Sequence, residues 1–226
     1  MRNELITGIK QAIPVILAYI PLGLAFGVLD HEAGLSVAEA TLMSAMVFTG
    51  AGQYIAIGII AAGGSMLTII MANLLVNLRY FLFSASMVPQ LKVLPTGLAA
   101  ALMLGLTDET YAVAAVHFKE HPATVSYLAG LNVSSYLSWV VSSLVGASLG
   151  NIITNTEQLG LNFALPAMYT ILLILVISEK KHLVVALVSV MVCLAVAYLF
   201  PATLSNLSNI IVASLVAATL GVIIKR

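Results

Sequence analysis

No charged residue occurs between Ala40 and Leu78, and this uncharged run constrains the fold more than any other feature of the sequence. A spanning helix needs about 20 residues, each rising about 1.5 Å, so the run is too long for one membrane crossing. The pair Gly63-Gly64 is the natural break within it. The run therefore predicts two consecutive spanning helices joined by a short turn.

The composition of the whole chain leaves little polar surface to face water. Of 226 residues, 61% are hydrophobic and 8% are charged, and the mean hydropathy is +1.10. Soluble domains carry about 25% charged residues. The apolar runs are continuous, whereas a β-barrel would show short alternating segments. We therefore predict an all-α, polytopic transmembrane helical bundle, with 1–226 as a single membrane domain and no soluble domain.

Eight segments are predicted as transmembrane helices, with seven as the alternative count. They cover 11–29, 41–62, 65–88, 96–118, 124–149, 163–178, 183–200 and 207–224. With the N-terminus inside, seven of the nine Lys and Arg residues lie in inner segments and only Lys92 lies in an outer one. This bias predicts a protein of the cytoplasmic (inner) membrane with both termini in the cytoplasm. We expect some helices to be discontinuous, with the second, third and sixth as the candidates.

Three charged residues lie inside predicted helices: Arg79 in the third, and Asp108 and Glu109 in the fourth. A charge at the centre of a spanning helix costs about 2.5–3.5 kcal/mol on insertion scales, so each of them needs a reason to be there. Arg79 lies about 13 Å and Asp108 about 18 Å below the outer ends of their helices. An arginine side chain bridges that difference, so Arg79 can pair with either acid. Such a pair belongs to a substrate or ion site, or only fixes the helix register.

Uncharged residues complete the candidate site. Gly50 and Gly52 weaken the second helix, and Gln53 places an amide near mid-membrane. Asn73 and Asn77 are four residues apart and share a helix face. An unwound glycine segment offers backbone groups to a ligand, while close helix packing explains the same glycines equally well. These five residues and the three charges are the predicted substrate-binding or ion-coupling residues. We predict no catalytic residue, metal or cofactor.

Small residues recur at every fourth position of the fifth predicted helix. They are Gly130, Ser134, Ser138, Ser142, Gly146 and Gly150. Small residues at this period let another helix approach closely, so helix packing is the main interpretation. Serine hydroxyls along a translocation path are the alternative.

Five segments of the chain resemble the AzlC family. They are PVILAYIPLGLAFGV (14–28), FTGAGQY (48–54), NLRYFLFS (77–84), LTDETYA (106–112) and LGLNFALPAMYTILL (159–173). The resemblance runs from about residue 8 to residue 178. Tyr80 stands where relatives often have histidine, and Asn162 stands where an acid is expected.

The family is the large subunit of a branched-chain amino-acid exporter that works with a small membrane partner, AzlD. The resemblance implies an antiporter that exports branched-chain or other small hydrophobic amino acids, driven by the proton gradient, with an AzlD-like subunit in the bilayer. A zwitterion needs a cationic or helix N-terminal site for its carboxylate and an acidic or carbonyl site for its ammonium. Arg79 fits the first role and Asp108 or Glu109 the second, unless one acid carries the coupling proton.

Other function classes stay open at this point. An ion or solute channel is one, although no repeated filter sequence is visible; a transporter of histidine or methionine is another, and a purely structural subunit a third. No GxSG, HExxH or paired-aspartate motif is present, which argues against a membrane-embedded enzyme. The formal net charge of zero argues against nucleic-acid binding.

Overall fold

The fold is that of a computed structural model, which describes residues 2–150, 180–201 and 208–225 and isolated positions between 152 and 177. Within this described part, all regular structure is helical, which confirms the predicted fold class. The helices are α1 (Arg2–Glu32), α2 (Val37–Val47), α3 (Ala51–Ala61), α4 (Met66–Leu91), α5 (Thr96–Met103), α6 (Asp108–His117), α7 (Val125–Leu149), α8 (Lys180–Leu199) and α9 (Ser208–Lys225).

Two of the predicted membrane crossings are interrupted. The predicted helix 41–62 forms α2 and α3, and the predicted helix 96–118 forms α5 and α6. The second predicted helix is thus discontinuous, as expected. The third was also a candidate for discontinuity but is continuous as α4, and the fourth is interrupted although no interruption was expected there. Among the described helices, α1, α4, α7 and α8 are each long and apolar enough to cross a membrane. Nine of the 16 residues of the predicted helix 163–178 lie outside the described residues, so the count of eight crossings stays a prediction.

α1 is longer than the predicted 11–29 and continues through both of its prolines. The interval 30–40 between the first two predicted helices is therefore reduced to a short turn before α2. Ser36 caps α2 by accepting a hydrogen bond from the Glu39 N–H, and the Glu39 carboxylate accepts one from the Ser36 N–H at 2.8 Å. This reciprocal capping box explains why α2 begins earlier than the apolar pattern predicts.

The core is built on α1 and α7, which touch along most of their lengths. Gly8 lies against Tyr127 and Gly27 against Ser143, so the two helices run parallel. At both glycines a Cβ would collide with a carbonyl oxygen of α7. Gly130 of α7 likewise meets the main chain of α1. The small-residue stripe of α7 therefore serves helix packing, as its main interpretation predicted.

An aromatic cluster joins this helix pair to α2 and α3. Its members are Tyr19, Phe26, Phe48, Tyr54 and Trp139. The Trp139 ring is 2% exposed, and its centroid lies 5.4 Å from that of Tyr19 in an edge-to-face arrangement. At the other end of the described chain, α8 and α9 pack against each other.

Candidate functional site

A small pocket lies where the two interrupted crossings meet α1, α4 and α7. Its lining residues are Tyr19, Leu22, Phe48, Thr49, Gly50, Ala51, Arg79, Tyr80, Thr107, Asp108, Glu109 and Trp139. Its free volume is about 20 Å³, which is room for about one water molecule. The pocket is therefore closed to any solute larger than water unless the surrounding helices separate.

The pocket contains the three membrane charges predicted from the sequence. Arg79 Nη2 lies 2.9 Å from Asp108 Oδ2, so the structure pairs Arg79 with Asp108. The Tyr19 hydroxyl lies 2.7 Å from Glu109 Oε2 and can donate to it. Among the described residues, no cation forms an ion pair with Glu109. The pocket thus has one more carboxylate than it has guanidinium groups.

The two acids enter the pocket at an interruption between α5 and α6, residues 104–107, which we call the acidic break. Thr107 caps α6: its hydroxyl accepts from the Thr110 N–H at 3.2 Å, and the Thr110 hydroxyl accepts from the Thr107 N–H at 2.8 Å. Asp108 and Glu109 form the first turn of α6, where the helix dipole favours negative charge. The expectation that they lie in mid-helix was wrong, because this cap starts a new helix.

A second interruption, Phe48–Gly50 between α2 and α3, is the glycine break. Phe48 has φ 40° and Gly50 has φ 52°, so the backbone turns through conformations that favour glycine. Gln53 holds this turn: its Oε1 accepts from the Thr49 N–H at 3.2 Å, the Gly50 N–H at 3.3 Å and Trp139 Nε1–H at 3.1 Å. The Gln53 amide is fully buried behind the pocket wall, so its predicted contact with substrate stays a prediction.

The remaining predicted residues lie beside the pocket, between α3 and α4. Gly52 is in the first turn of α3, and a Cβ there would touch Thr49 Oγ1 and Asn73 Oδ1 and lie 3.3 Å from Asn77 Nδ2. Asn73 and Asn77 therefore share a face of α4, as their spacing predicted, and that face is turned to α3. The structure brings all eight predicted residues into or next to one site.

Several residues of this region were missed by the sequence reasoning. Tyr19 and Trp139 lie inside apolar helices and carry no local signal. Thr107 did carry one, because a threonine followed directly by acids is typical of a helix start, with the threonine as cap and the acids in the first turn. Asp30 was expected in a loop, yet it is 0% exposed at the end of α1, and neither carboxylate oxygen has a hydrogen-bond partner among the described residues.

Comparison with known proteins shows the family to which the chain belongs. The family model described as AzlC protein matches residues 14–153, a range that includes every residue lining the pocket. The chain belongs to the AzlC family. An uncharacterized membrane protein of Archaeoglobus fulgidus is 32% identical to it over 169 residues, which are 74% of this chain and 73% of that protein.

Two further relatives carry more specific names. The inner membrane protein YgaZ of Escherichia coli is 28% identical over 184 residues, which are 79% of this chain and 75% of that protein. The branched-chain amino acid transport protein AzlC of Bacillus subtilis is 27% identical over 176 residues, covering 75% of this chain and 67% of that protein. No solved structure matches the chain. With the apolar helices, this family membership shows that the chain is a helical membrane protein.

Of the two departures from the family pattern, one lies at the site. Tyr80 lines the pocket, and its hydroxyl donates to the Thr49 carbonyl oxygen at 3.3 Å. The side chain thereby connects α4 to the glycine break. Asn162 lies outside the described residues.

Proposed function

We propose that this chain is a secondary transporter that exports branched-chain or other small hydrophobic amino acids. The observation that carries the proposal is the set of Arg79, Asp108 and Glu109 around one closed pocket inside the membrane-spanning helices. The name of the Bacillus subtilis relative supports the substrate class. The proposal rests on three chemical requirements of a zwitterion with an apolar side chain.

The first requirement is a site for the substrate carboxylate. Arg79 supplies a guanidinium that can bind two oxygens at once. The pocket also receives the N-terminal ends of α3 and α6, at Ala51 and Asp108, where backbone N–H groups favour an anion. In the closed pocket the Arg79 guanidinium forms an ion pair with the Asp108 carboxylate at 2.9 Å. A substrate carboxylate would replace Asp108 as the partner of Arg79 when the pocket opens.

The second requirement is a site for the substrate ammonium. Glu109 is suited to it, because it lines the pocket and has no cationic partner among the described residues. The Tyr19 hydroxyl holds the Glu109 carboxylate in place at 2.7 Å. Tyr19 itself packs edge-to-face on Trp139, so the acid is positioned by the rigid aromatic cluster. The third requirement, an apolar surface for the substrate side chain, is met by Leu22 and Phe48 on the same wall.

The proton gradient is the energy source that we propose. A proton and a substrate ammonium would compete for Glu109, because a protonated carboxyl loses most of its attraction for a cation. A proton entering from outside would therefore release the amino acid. When that proton leaves to the cytoplasm, the next amino acid could bind. Competition of the two cargoes for one carboxylate would couple their movements in antiport when only a loaded pocket changes the side to which it opens.

The proposed setting is the cytoplasmic membrane, with both termini in the cytoplasm and a small AzlD-like membrane subunit as partner. The lysine and arginine bias supports this orientation. A pocket with room for about one water molecule fits the occluded state of an alternating-access transporter. Movement of the interrupted helices would open it to each side in turn.

An efflux assay tests the proposal. Cells would be loaded with leucine, isoleucine, valine, methionine or histidine as dipeptides, with the chain expressed with and without a candidate partner. We expect release of the branched-chain amino acids only with the partner, and loss of that release when the proton gradient is collapsed. Release of histidine or methionine alone would contradict the proposed substrate class. Release that continues after the gradient is collapsed would contradict the proposed proton coupling.

Variants assign the roles of the residues. Glu109→Gln keeps an oxygen for the Tyr19 hydroxyl but removes the charge, so we expect at least tenfold slower efflux from a folded protein. Arg79→Ala and Asp108→Asn should also abolish efflux. Glu39→Gln is the control, because it changes an exposed acid outside the pocket and preserves the capping box. Unchanged efflux in the Arg79 and Glu109 variants, at normal amounts in the membrane, would refute the site.

A further inference from the structure

A cavity of about 440 Å³ lies beside the pocket, between the C-terminal ends of α2 and α5 and the N-terminal half of α7. Phe48 lines it from the glycine break, and Leu104 and Gly105 line it from the acidic break. Both interruptions of the membrane crossings therefore border this cavity as well as the pocket. We call it the side cavity.

The side cavity has the size and the lining of a site for an apolar group. Ligand pockets in proteins measure about 300–1,000 Å³ and are mostly apolar. Among the twelve described residues that line the side cavity, only Asn132 and Tyr136 have polar side chains. Asn132 Nδ2 donates to the Leu102 carbonyl oxygen at 2.7 Å, and the Tyr136 hydroxyl donates to the Ala45 carbonyl oxygen at 2.9 Å. These two donors join α7 to α5 and α2, so they are not free to bind a polar ligand.

Phe48 separates the side cavity from the pocket, because it lines both. Its ring packs edge-to-face on Tyr136 of the side cavity, with the centroids 5.0 Å apart, and on Tyr19 of the pocket at 6.4 Å. Phe48 is buried, and its φ of 40° is a conformation that bulky residues rarely adopt. Such outliers are concentrated at ligand-binding and switch segments. A rotation of the Phe48 side chain would join the two spaces.

We propose that the side cavity receives the apolar side chain of the transported amino acid, and that Phe48 is the gate between this cavity and the charged pocket. The inference rests on the proposed function and deepens it. The pocket has room for about one water molecule, so the charged groups of a zwitterion and a branched side chain do not fit there together. With Phe48 displaced, the carboxylate and ammonium lie at Arg79 and Glu109, and the side chain lies between the two breaks.

The competing occupant of the side cavity is an acyl chain of a lipid. Met46 and Leu104 line the cavity and are 76% and 84% exposed, so its rim is apolar. An acyl chain has no group that pairs with Arg79 or Glu109, whereas an amino acid fills both spaces at once. The wall that the side cavity shares with the charged pocket at Phe48 therefore favours the amino acid.

Amino acids that differ only in their side chains measure the contribution of the side cavity. Glycine, alanine, leucine and phenylalanine would be titrated calorimetrically into purified full-length protein, alone and with the candidate partner. These ligands share the same carboxylate and ammonium groups, so differences in their affinity come from the side chain. We expect leucine to bind at least about tenfold more tightly than alanine, because each buried methylene group is favourable.

Val133 and Val141 are a matched pair on α7, since they are 53% and 54% exposed and of the two only Val133 lines the side cavity. Val133→Phe narrows the cavity, so we expect the advantage of leucine over alanine to fall below about threefold. Val141→Phe should leave that advantage unchanged. Phe48→Ala removes the gate, so we expect it to bind phenylalanine at least about tenfold more tightly than the unchanged protein does.

The outcomes separate this inference from the proposed function. If leucine keeps its advantage in Val133→Phe and the affinity for phenylalanine is unchanged in Phe48→Ala, the side cavity does not hold the substrate side chain, and the proposed function stands. Equal losses of the leucine advantage in Val133→Phe and Val141→Phe would also overturn the inference. If no amino acid binds to either preparation of the folded protein, the inference and the proposed function both fail.

Discussion

The glycine break and the acidic break both interrupt a membrane crossing, but different forces hold them. The glycine break has positive φ at Phe48 and Gly50 and contains no charged side chain. The acidic break, residues 104–107, has no positive φ and is followed directly by Asp108 and Glu109. In the glycine break the unfavourable free energy therefore lies in the backbone conformation, whereas in the acidic break it lies in the burial of charge.

The two breaks also differ in which side chains stabilise them. The glycine break is held by Gln53, four residues along the same crossing, and by the indole of Trp139. The acids after the acidic break are held by Arg79 of α4 and by Tyr19 of α1. A movement of α6 away from α1 and α4 would therefore break the contacts of the acids and leave the bonds from Gln53 to the glycine break intact.

The largest expected effect is on the glycine break. Gln53→Leu leaves three donors without an acceptor: the part-buried N–H groups of Thr49 and Gly50 and the buried indole N–H of Trp139. Each such group costs about 1–3 kcal/mol, so we expect a loss of about 4 kcal/mol or more in the free energy of unfolding. SDS titration in mixed micelles measures it. Gln90→Leu on the exposed side of α4 is the control and should change stability by less than about 0.5 kcal/mol. A small loss in Gln53→Leu would show that the break does not depend on Gln53.

The acidic break should depend on charge instead. Arg79→Ala leaves the Asp108 carboxylate buried without a cation, which costs about 3 kcal/mol, at the low end of the usual range because the two side chains are 24% and 16% exposed. In the double variant with Asp108→Asn the unpaired charge is gone, so the combined loss should be smaller than the sum of the single losses. Additive losses in this double-mutant cycle would show that the pair is not coupled.

Backbone strain gives a smaller effect, confined to the glycine break. Gly50→Ala forces a side chain into φ 52°, and we expect a cost of about 1–3 kcal/mol although the nearest atom to the new Cβ is 3.8 Å away. Gly58→Ala in the same α3 meets no atom within 4 Å and should stabilise the protein by about 0.5–1 kcal/mol. Thermal unfolding of both variants in detergent checks the opposite signs. If both substitutions changed the stability equally, the positive φ of Gly50 would not be a source of strain.

The same contrast explains what the sequence could predict. The glycine break follows from Gly50 and Gly52, because glycine weakens a helix wherever it lies. The Arg79–Asp108 pair follows from the depth of the two charges and the reach of arginine. Both inferences use one residue or one pair at a time, and both correspond to features of the structure.

The acidic break shows why the rest could not be predicted. The apolar pattern of 96–118 is continuous, and the break lies in the reciprocal hydrogen bonds of Thr107 and Thr110, which hydropathy does not register. Tyr19 is 90 positions from its partner Glu109, and such a long-range contact has no local signal. The placement of Gln53 behind the wall likewise depends on Trp139 from a distant helix.

The smallest expected effect separates a helix cap from a transport residue. Thr107 caps α6 and Thr124 caps α7 through the same type of bond, at 3.2 Å in each case. Alanine at either position should cost about 1 kcal/mol of stability. Only Thr107 also lies 2.7 Å from the Tyr19 hydroxyl, which in turn positions Glu109.

We therefore expect Thr107→Ala to slow efflux several-fold and Thr124→Ala to leave efflux unchanged at matched stability. Thr107→Ser keeps the hydroxyl and should restore efflux. Stability from SDS titration and efflux from dipeptide-loaded cells would be measured on the same three variants. If Thr124→Ala slows efflux as much as Thr107→Ala does, then loss of a cap anywhere in the bundle is sufficient, and the link from Thr107 through Tyr19 to Glu109 carries no function of its own.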